Sequence, residues 1–184
     1  MFKKFFIATV FFVLAVTQIN FANAMSYGEM FLGSLTIGSS IDEMKRIYGE
    51  PTSKEGGIEN LASCSYGNHV GIAYNNFTKK IYSVTISANN GWKTPSGLAV
   101  GDNISKALDL CGNPDYTKVG NFKTAYCYFH ESYNTYTNKN VKDFGFIILF
   151  NKESGKILEL SLLGGNSMAS FEEIYQSMMK RMVE

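Results

Sequence analysis

Few residues in this chain have side chains that could do covalent or acid–base chemistry. Among its 184 residues are two histidines and three cysteines. Cys64 and His69 stand five positions apart in "CSYGNH", and Cys127 precedes His130 by three in "CYFH". A thiolate beside an imidazole is the arrangement of an acyl-transfer nucleophile and its base. That chemistry needs the two groups to converge. The sequence instead reads Cys64 as a strand residue and His69 as a turn residue. A Cys–His hydrolase is therefore the weaker alternative, and the chain is expected not to be an enzyme. Zinc needs three or four converging ligands. The two histidines and scattered carboxylates show no such spacing, so no metal and no cofactor are expected. The sequence lacks G-x-S-x-G, H-E-x-x-H, a phosphate-binding loop and C-x-x-C. "KEGGIEN" (54–60) and "LLGGNS" (162–167) lack the strand-and-helix setting of a nucleotide site and read as turns. Asp42, Glu43, Asp102, Asp109 and Asp115 fall near helices. Capping accounts for the first three, and no two carboxylates are paired for glycosidic chemistry.

Aromatic side chains are the better candidates. Trp92, Tyr116, Tyr133 and Tyr136 lie in turns or in the polar segment "HESYNTYTNKN" (130–140). Tyr and Trp bury much apolar area for few rotors, which makes them good anchors for a protein partner. These four are the expected binding residues.

The elements that must position them begin after an unusual start. "MFKKFFIATVFFVLAVTQINFANA" has a short basic region, an apolar run and a small-residue end. That is the layout of a signal peptide, with cleavage expected after Ala24. Its apolar run of about 12 residues is too short for a bilayer, so no stable membrane span is expected once it is removed. Residues 25–184 then suit one domain. Without Lys3 and Lys4, 15 of the 17 basic residues remain against 16 acidic ones. A chain so balanced has no basic face for nucleic acid. The expected location is secreted or periplasmic, where disulfides are allowed.

The sequence also echoes itself. "IGSSIDEMKRIYGEP" (37–51) and "VGDNISKALDLCGNP" (100–114) align without a gap, 63 positions apart. Each reads as a short capped helix closed by Gly and Pro. Ile41, Met44, Ile47 and Tyr48 form one apolar stripe, and Ile104, Ala107, Leu108 and Cys111 the other. Strands are expected at 61–66, 70–75 and 80–87 after the first helix, and at 122–130, 144–151 and 156–163 after the second. "ASFEEIYQSMMKRMV" (169–183) reads as a final helix. The expected fold class is α+β. Two tandem helix-plus-three-strand repeats (32–88 and 95–163) form one antiparallel sheet with the helices packed on one face, plus the C-terminal helix.

At the same offset Cys64 answers Cys127, and Cys111 answers Tyr48. A helix end beside the following strand would let Cys111 bridge Cys127, leaving Cys64 a buried thiol. Such a loop would stabilise by about 3 kcal/mol. A Cys64–Cys127 bridge, or none, remains open.

"GLAVGDNISKALDLCGNP" (97–114) and its echo "SLTIGSSIDEMKRIYGEP" (34–51) resemble the small α/β repeat of the outer-membrane-assembly lipoproteins of the SmpA/OmlA family. The tandem arrangement, with a helix-end and a strand cysteine, is also similar to the beta-lactamase inhibitor protein. The resemblance implies a long sheet whose concave face binds a protein. Met25 stands where the lipoproteins carry a lipid-bearing cysteine, and the inhibitor's contact residues match no positions here. "NNGWKTPSGLAVGD" (89–102) is similar to a joint in uncharacterised secreted proteins of anaerobic bacteria. The expected function is a non-catalytic protein-binding or envelope-associated module. The alternative is an inhibitor of a secreted or periplasmic enzyme.

Overall fold

The computed structural model describes residues 25–55, 60–165, 173, 175–177, 179 and 180. The expected signal peptide lies outside them, as does much of the expected helix at 169–183. Of that helix, residues 173, 175–177, 179 and 180 are helical.

Two short helices, α1 (Ile41–Tyr48) and α2 (Ile104–Cys111), are each followed by four strands. These are β1 (Ser53–Glu55), β2 (Leu61–Tyr66), β3 (Val70–Asn75) and β4 (Ile81–Ile86), then β5 (Tyr116–Val119), β6 (Lys123–Asn134), β7 (Lys139–Asn151) and β8 (Ile157–Gly164). All eight form one sheet in the order β1-β2-β3-β4-β8-β7-β6-β5. Every neighbouring pair is antiparallel.

This overturns the expected fold class. The chain is mostly sheet and does not divide into two helix-plus-three-strand repeats. The two outermost strands carried no apolar alternation to betray them: "SKE" is wholly exposed and "YTKV" nearly so. They are also short, as edge strands that resist pairing with other chains often are.

Local chemistry explains the helix ends. The Asp42 N–H donates to Ser40 Oγ (3.2 Å), and the Ser105 N–H donates to Asn103 Oδ1 (3.0 Å). Each side chain satisfies one of the helix's orphan donors. Gly49 and Gly112 end the helices at φ 79° and 73°, where a Cβ would be strained. Helices this short depend on tertiary packing. Met44, Ala107 and Cys111 face the sheet and are fully buried.

Strand alternation gives the sheet two cores. On the helix side a continuous row runs Cys64, Ile72, Val84, Leu162, Phe146, Tyr128 across six strands, all inside the larger cluster. On the opposite face Ala125, Cys127, Ile147, Leu149 and Leu163 pack under Tyr175 and Met179.

The cysteines follow from this alternation. Cys111 belongs to the helix-side core and Cys127 to the opposite one. A sheet separates them, and the expected Cys111–Cys127 bridge is not formed. All three thiols are free and buried. The 63-residue offset misled by one position. Tyr66 donates to the Gly49 carbonyl across 17 residues, while Tyr128 donates to the Gly112 carbonyl across 16. A one-residue slip in a strand sends every side chain to the other face. Cys64 therefore points at the helices and Cys127 away from them.

Burial raises the Cys64 thiol pKa and pushes those of Cys111 and Cys127 up to about 11. Thiolate is the reactive form, so a thiol reagent is expected to titrate none of the three promptly in the native protein. Unfolded without reductant, the protein is expected to yield three. Fewer than three in that second measurement would reinstate a bridge.

Candidate functional site

The polar segment at 130–140, expected as the connection between two strands, is a two-stranded ribbon. β8 ends opposite Phe144, and β5 pairs no further along β6 than Cys127. From Glu131↔Lys142 to Asn134↔Lys139, β6 and β7 pair, among the described residues, only with each other. Four such pairs project about 13 Å beyond the sheet.

The root of this arm is a bulge, where the register shifts between His130 and Glu131 and Asp143 is the extra residue. A bulge bends its strand and re-aims the residues beyond it. This one is clasped by His130 Nδ1 and Asp143 Oδ1 at 2.7 Å. The His130 ring stacks on Phe144 (4.6 Å, 16°), with Tyr27 packed on both rings. Lys142 Nζ lies 4.1 Å above the Phe129 ring.

At the tip, Asn134 Oδ1 accepts from the N–H groups of Tyr136 and Thr137 (3.0 and 3.1 Å). Tyr133 donates its hydroxyl to Asn138 Oδ1 (3.2 Å). The tip is thus preformed by its own side chains. Tyr136 is 98 % exposed and Tyr133 61 %.

The four expected anchors part company here. Tyr133 and Tyr136 share the arm. Trp92 is half-buried and stacks on Tyr48 (4.3 Å, 24°), so most of its ring serves packing. Tyr116 sits on the far edge strand, edge-on to Tyr175 at 6.2 Å. The Cys–His pairs do not assemble either. Cys64 faces the helix-side core, while His69 sits in the β2–β3 turn with Nδ1 3.4 Å from Ser87 Oγ. Cys127 donates to Met179 Sδ (3.8 Å) and accepts from the Tyr175 hydroxyl (3.6 Å).

The uncovered sheet face, which the sequence reading expected to bind a protein together with the 130–140 segment and Trp92, carries a hydroxyl lining that the reading did not foresee. On the face away from α1 and α2, one row across the sheet reads Ser53, Ser65, Gly71, Thr85, Ser161. The next reads Glu55, Ser63, Ala73, Ser83. Ser53 Oγ meets Ser65 Oγ at 2.7 Å and Thr85 Oγ1 meets Ser161 Oγ at 3.1 Å. Ser161 donates to Glu159 Oε1 (2.9 Å). Burial pushes the Glu159 carboxyl above the usual carboxylate range, against smaller opposing effects from Ser161 and Lys123. The alternation of Ser83 and Thr85 was visible in sequence; their match to Ser63, Ser65 and Ser161 depends on register.

No protein-family model matches the chain, and no curated protein matches it. Solved structures do. A cysteine-rich secretory protein from Staphylococcus aureus is 15 % identical at a TM-score of 0.50, over 81 % of this chain and 55 % of that one. An extracellular protein containing an SCP domain from Bacillus anthracis is 11 % identical at 0.47, over 80 % and 48 %. The chain spans about half the length of the structures it matches. At these identities the likeness concerns the fold alone. The staphylococcal likeness overturns the expected resemblance, because that protein is neither an assembly lipoprotein nor a beta-lactamase inhibitor.

Proposed function

We propose that the protein is a non-catalytic binding module that acts outside the cytoplasm and engages another protein through the β6–β7 arm. The location rests on the signal-like start and on neighbours described as extracellular and secretory. No helix among the described residues is long and apolar enough to cross a membrane.

The observation that carries the binding role is Tyr136, 98 % exposed at the tip of a ribbon whose turn is held by Asn134. An aromatic anchor carried on a preformed turn loses little backbone entropy on docking. A narrow preformed tip also has the shape to enter a cleft, which favours the enzyme-inhibitor version as the second reading.

A photo-crosslinking residue placed at the exposed position 135, beside an intact Tyr136, is expected to trap one discrete partner from the extracellular or envelope fraction of the source cells. Tyr133→Ser with Tyr136→Ser is expected to weaken capture by at least about 30-fold, the loss of one interface hot spot. Thermal stability should barely change, because both side chains are exposed. Equal recovery of the partner by the double variant would rule out the arm.

A further inference from the structure

The hydroxyl-lined face has a composition that neither a solvated surface nor a protein interface explains. Of the nine residues in its two rows, only Glu55 is charged and none is aromatic, and Gly71 and Ala73 hollow out the middle. Solvated strands usually carry long polar side chains, and interfaces bury aromatic and aliphatic ones. Across β8 the same face turns apolar, and there the chain's own Tyr175 and Met179 cover it. Beneath Tyr175 and Met179 the residues of this face are Ala, Cys, Ile and Leu, and the buried Ser161 marks the border with the hydroxyl half. The hydroxyl half is of another kind.

The depression over it has two lobes of about 320 and 410 Å³ that share Ser65, Gly71 and Thr85. The second reaches Asn68, His69, Ser87 and Glu159. Among the described residues neither lobe is lined by a lysine or arginine, and Lys123 acts on Glu159 from outside them, so phosphate, sulfate or uronate groups would find no counter-charge in the described lining. Hydroxyls both donate and accept, and a carboxylate accepts at two oxygens. That combination suits a ligand presenting many neutral hydroxyls along its length.

We propose that this depression is a binding site for a neutral saccharide chain, laid across β2, β3 and β4 with the Glu159 carboxylate at one end. The site is shallow and lacks an aromatic platform. Affinity would come from several sugar units acting together.

Glu159 separates a ligand-binding role from a structural one. An acid whose pKa is raised by folding contributes stability below its unfolded value of 4.5, and loses that contribution as pH rises through the folded value. Once ionised, Glu159 is thus a burden on the fold. Glu159→Gln is expected to raise Tm at pH above that folded value, with the gain shrinking as pH falls toward 4.5. The same variant is expected to weaken saccharide binding about tenfold, the cost of one charge-assisted hydrogen bond. A merely structural Glu159 would move Tm and leave binding alone.

The test is an NMR titration of the isotopically labelled protein with cellotetraose and chitotetraose, and with a tetrameric polyuronate as the anionic control. Saturable shifts are expected for both neutral probes at the amides of Ser63, Ser65, Gly71, Ala73, Ser83 and Thr85. A Cβ at Gly71 meets nothing within 4 Å, so Gly71→Val should fold normally, fill the hollow and abolish the shifts. Tyr136→Ser should leave them unchanged, which keeps this site separable from the arm. The proposal is overturned if neither neutral probe saturates, if the polyuronate binds as well, or if Gly71→Val or Glu159→Gln binds like wild type.

Discussion

Gly33→Ala is expected to cost the fold about 2–4 kcal/mol, although Gly33 lies in a turn and only one methyl group is added. Two costs combine. At φ +62° an L side chain pays about 1 kcal/mol for the left-handed conformation. The new Cβ would also stand 2.5 Å from the Tyr48 hydroxyl and 3.0 Å from Trp92 Cε3. Neither neighbour can swing aside. Tyr48 accepts a hydrogen bond from the Ser34 N–H (2.9 Å), stacks on Trp92 and meets Tyr66 edge-on at 6.1 Å. The Gly33 N–H itself donates to the Lys93 carbonyl (3.0 Å), which ties the turn to the joint carrying Trp92. Gly67→Ala is the matched control. Gly67 has φ +60°, and its added Cβ would meet nothing within 4 Å, so that variant should lose only about 1 kcal/mol. Urea unfolding midpoints at unchanged slope measure both losses. If the two variants lose equal stability, the Tyr48–Trp92 stack is not holding the turn, and Trp92 regains its standing as a surface anchor.

The same residues show where sequence legibility ended. Helix ends were readable because their signals are local. Ser40, Asn103, Gly49 and Gly112 each act within a few residues of themselves. The central strands β2, β3 and β4 were readable because alternate side chains, such as Ala62 and Cys64, Val70 and Ile72, and Val84 and Ile86, are buried, which imposes alternation. β1 and β5 were illegible because an exposed edge imposes none. The arm was mistaken for a loop for a related reason. Both its faces meet water, so its residues carry no period of two. The failed bridge has a different origin. Sequence offset counts residues, but face depends on their parity, and the connection after α2 is one residue shorter than that after α1. The hydroxyl-lined depression was hidden in the same way, since its two rows draw on five strands whose register only the sheet defines. Of the expected anchors, the two that the arm presents were singled out for standing in a polar stretch. Trp92 was chosen for its residue type and its place in a turn, and its position beside Tyr48 depends on a contact 44 positions away.

Tyr128→Ala is expected to be the most damaging of the single substitutions considered, at about 3–5 kcal/mol. Tyr128 is 1 % exposed and lies beside Phe146 and Leu162 in the helix-side row, each fully buried. Removing its ring opens a cavity that rigid strands on a central sheet cannot close. It also strands the Gly112 carbonyl, which accepts the Tyr128 hydroxyl at 3.0 Å. Tyr128→Phe keeps the ring and isolates that second loss, expected at about 1–2 kcal/mol. Tyr66→Phe removes the corresponding bond to Gly49. Tyr66 is only half-buried, so water can replace the lost donor and the cost should stay near about 0.5 kcal/mol. The expected order is therefore Tyr128→Ala, then Tyr128→Phe, then Tyr66→Phe. The order matters beyond stability. Tyr128 facing α2 is what obliges Cys127 to face Met179, because adjacent strand residues cannot share a side. A Tyr128→Phe variant as costly as Tyr128→Ala would place the value of this residue in its hydroxyl. A Tyr128→Ala variant as mild as Tyr66→Phe would mean that the ring is not in the core. The facing of β6, and the separation of the two cysteines with it, would then have to be redrawn.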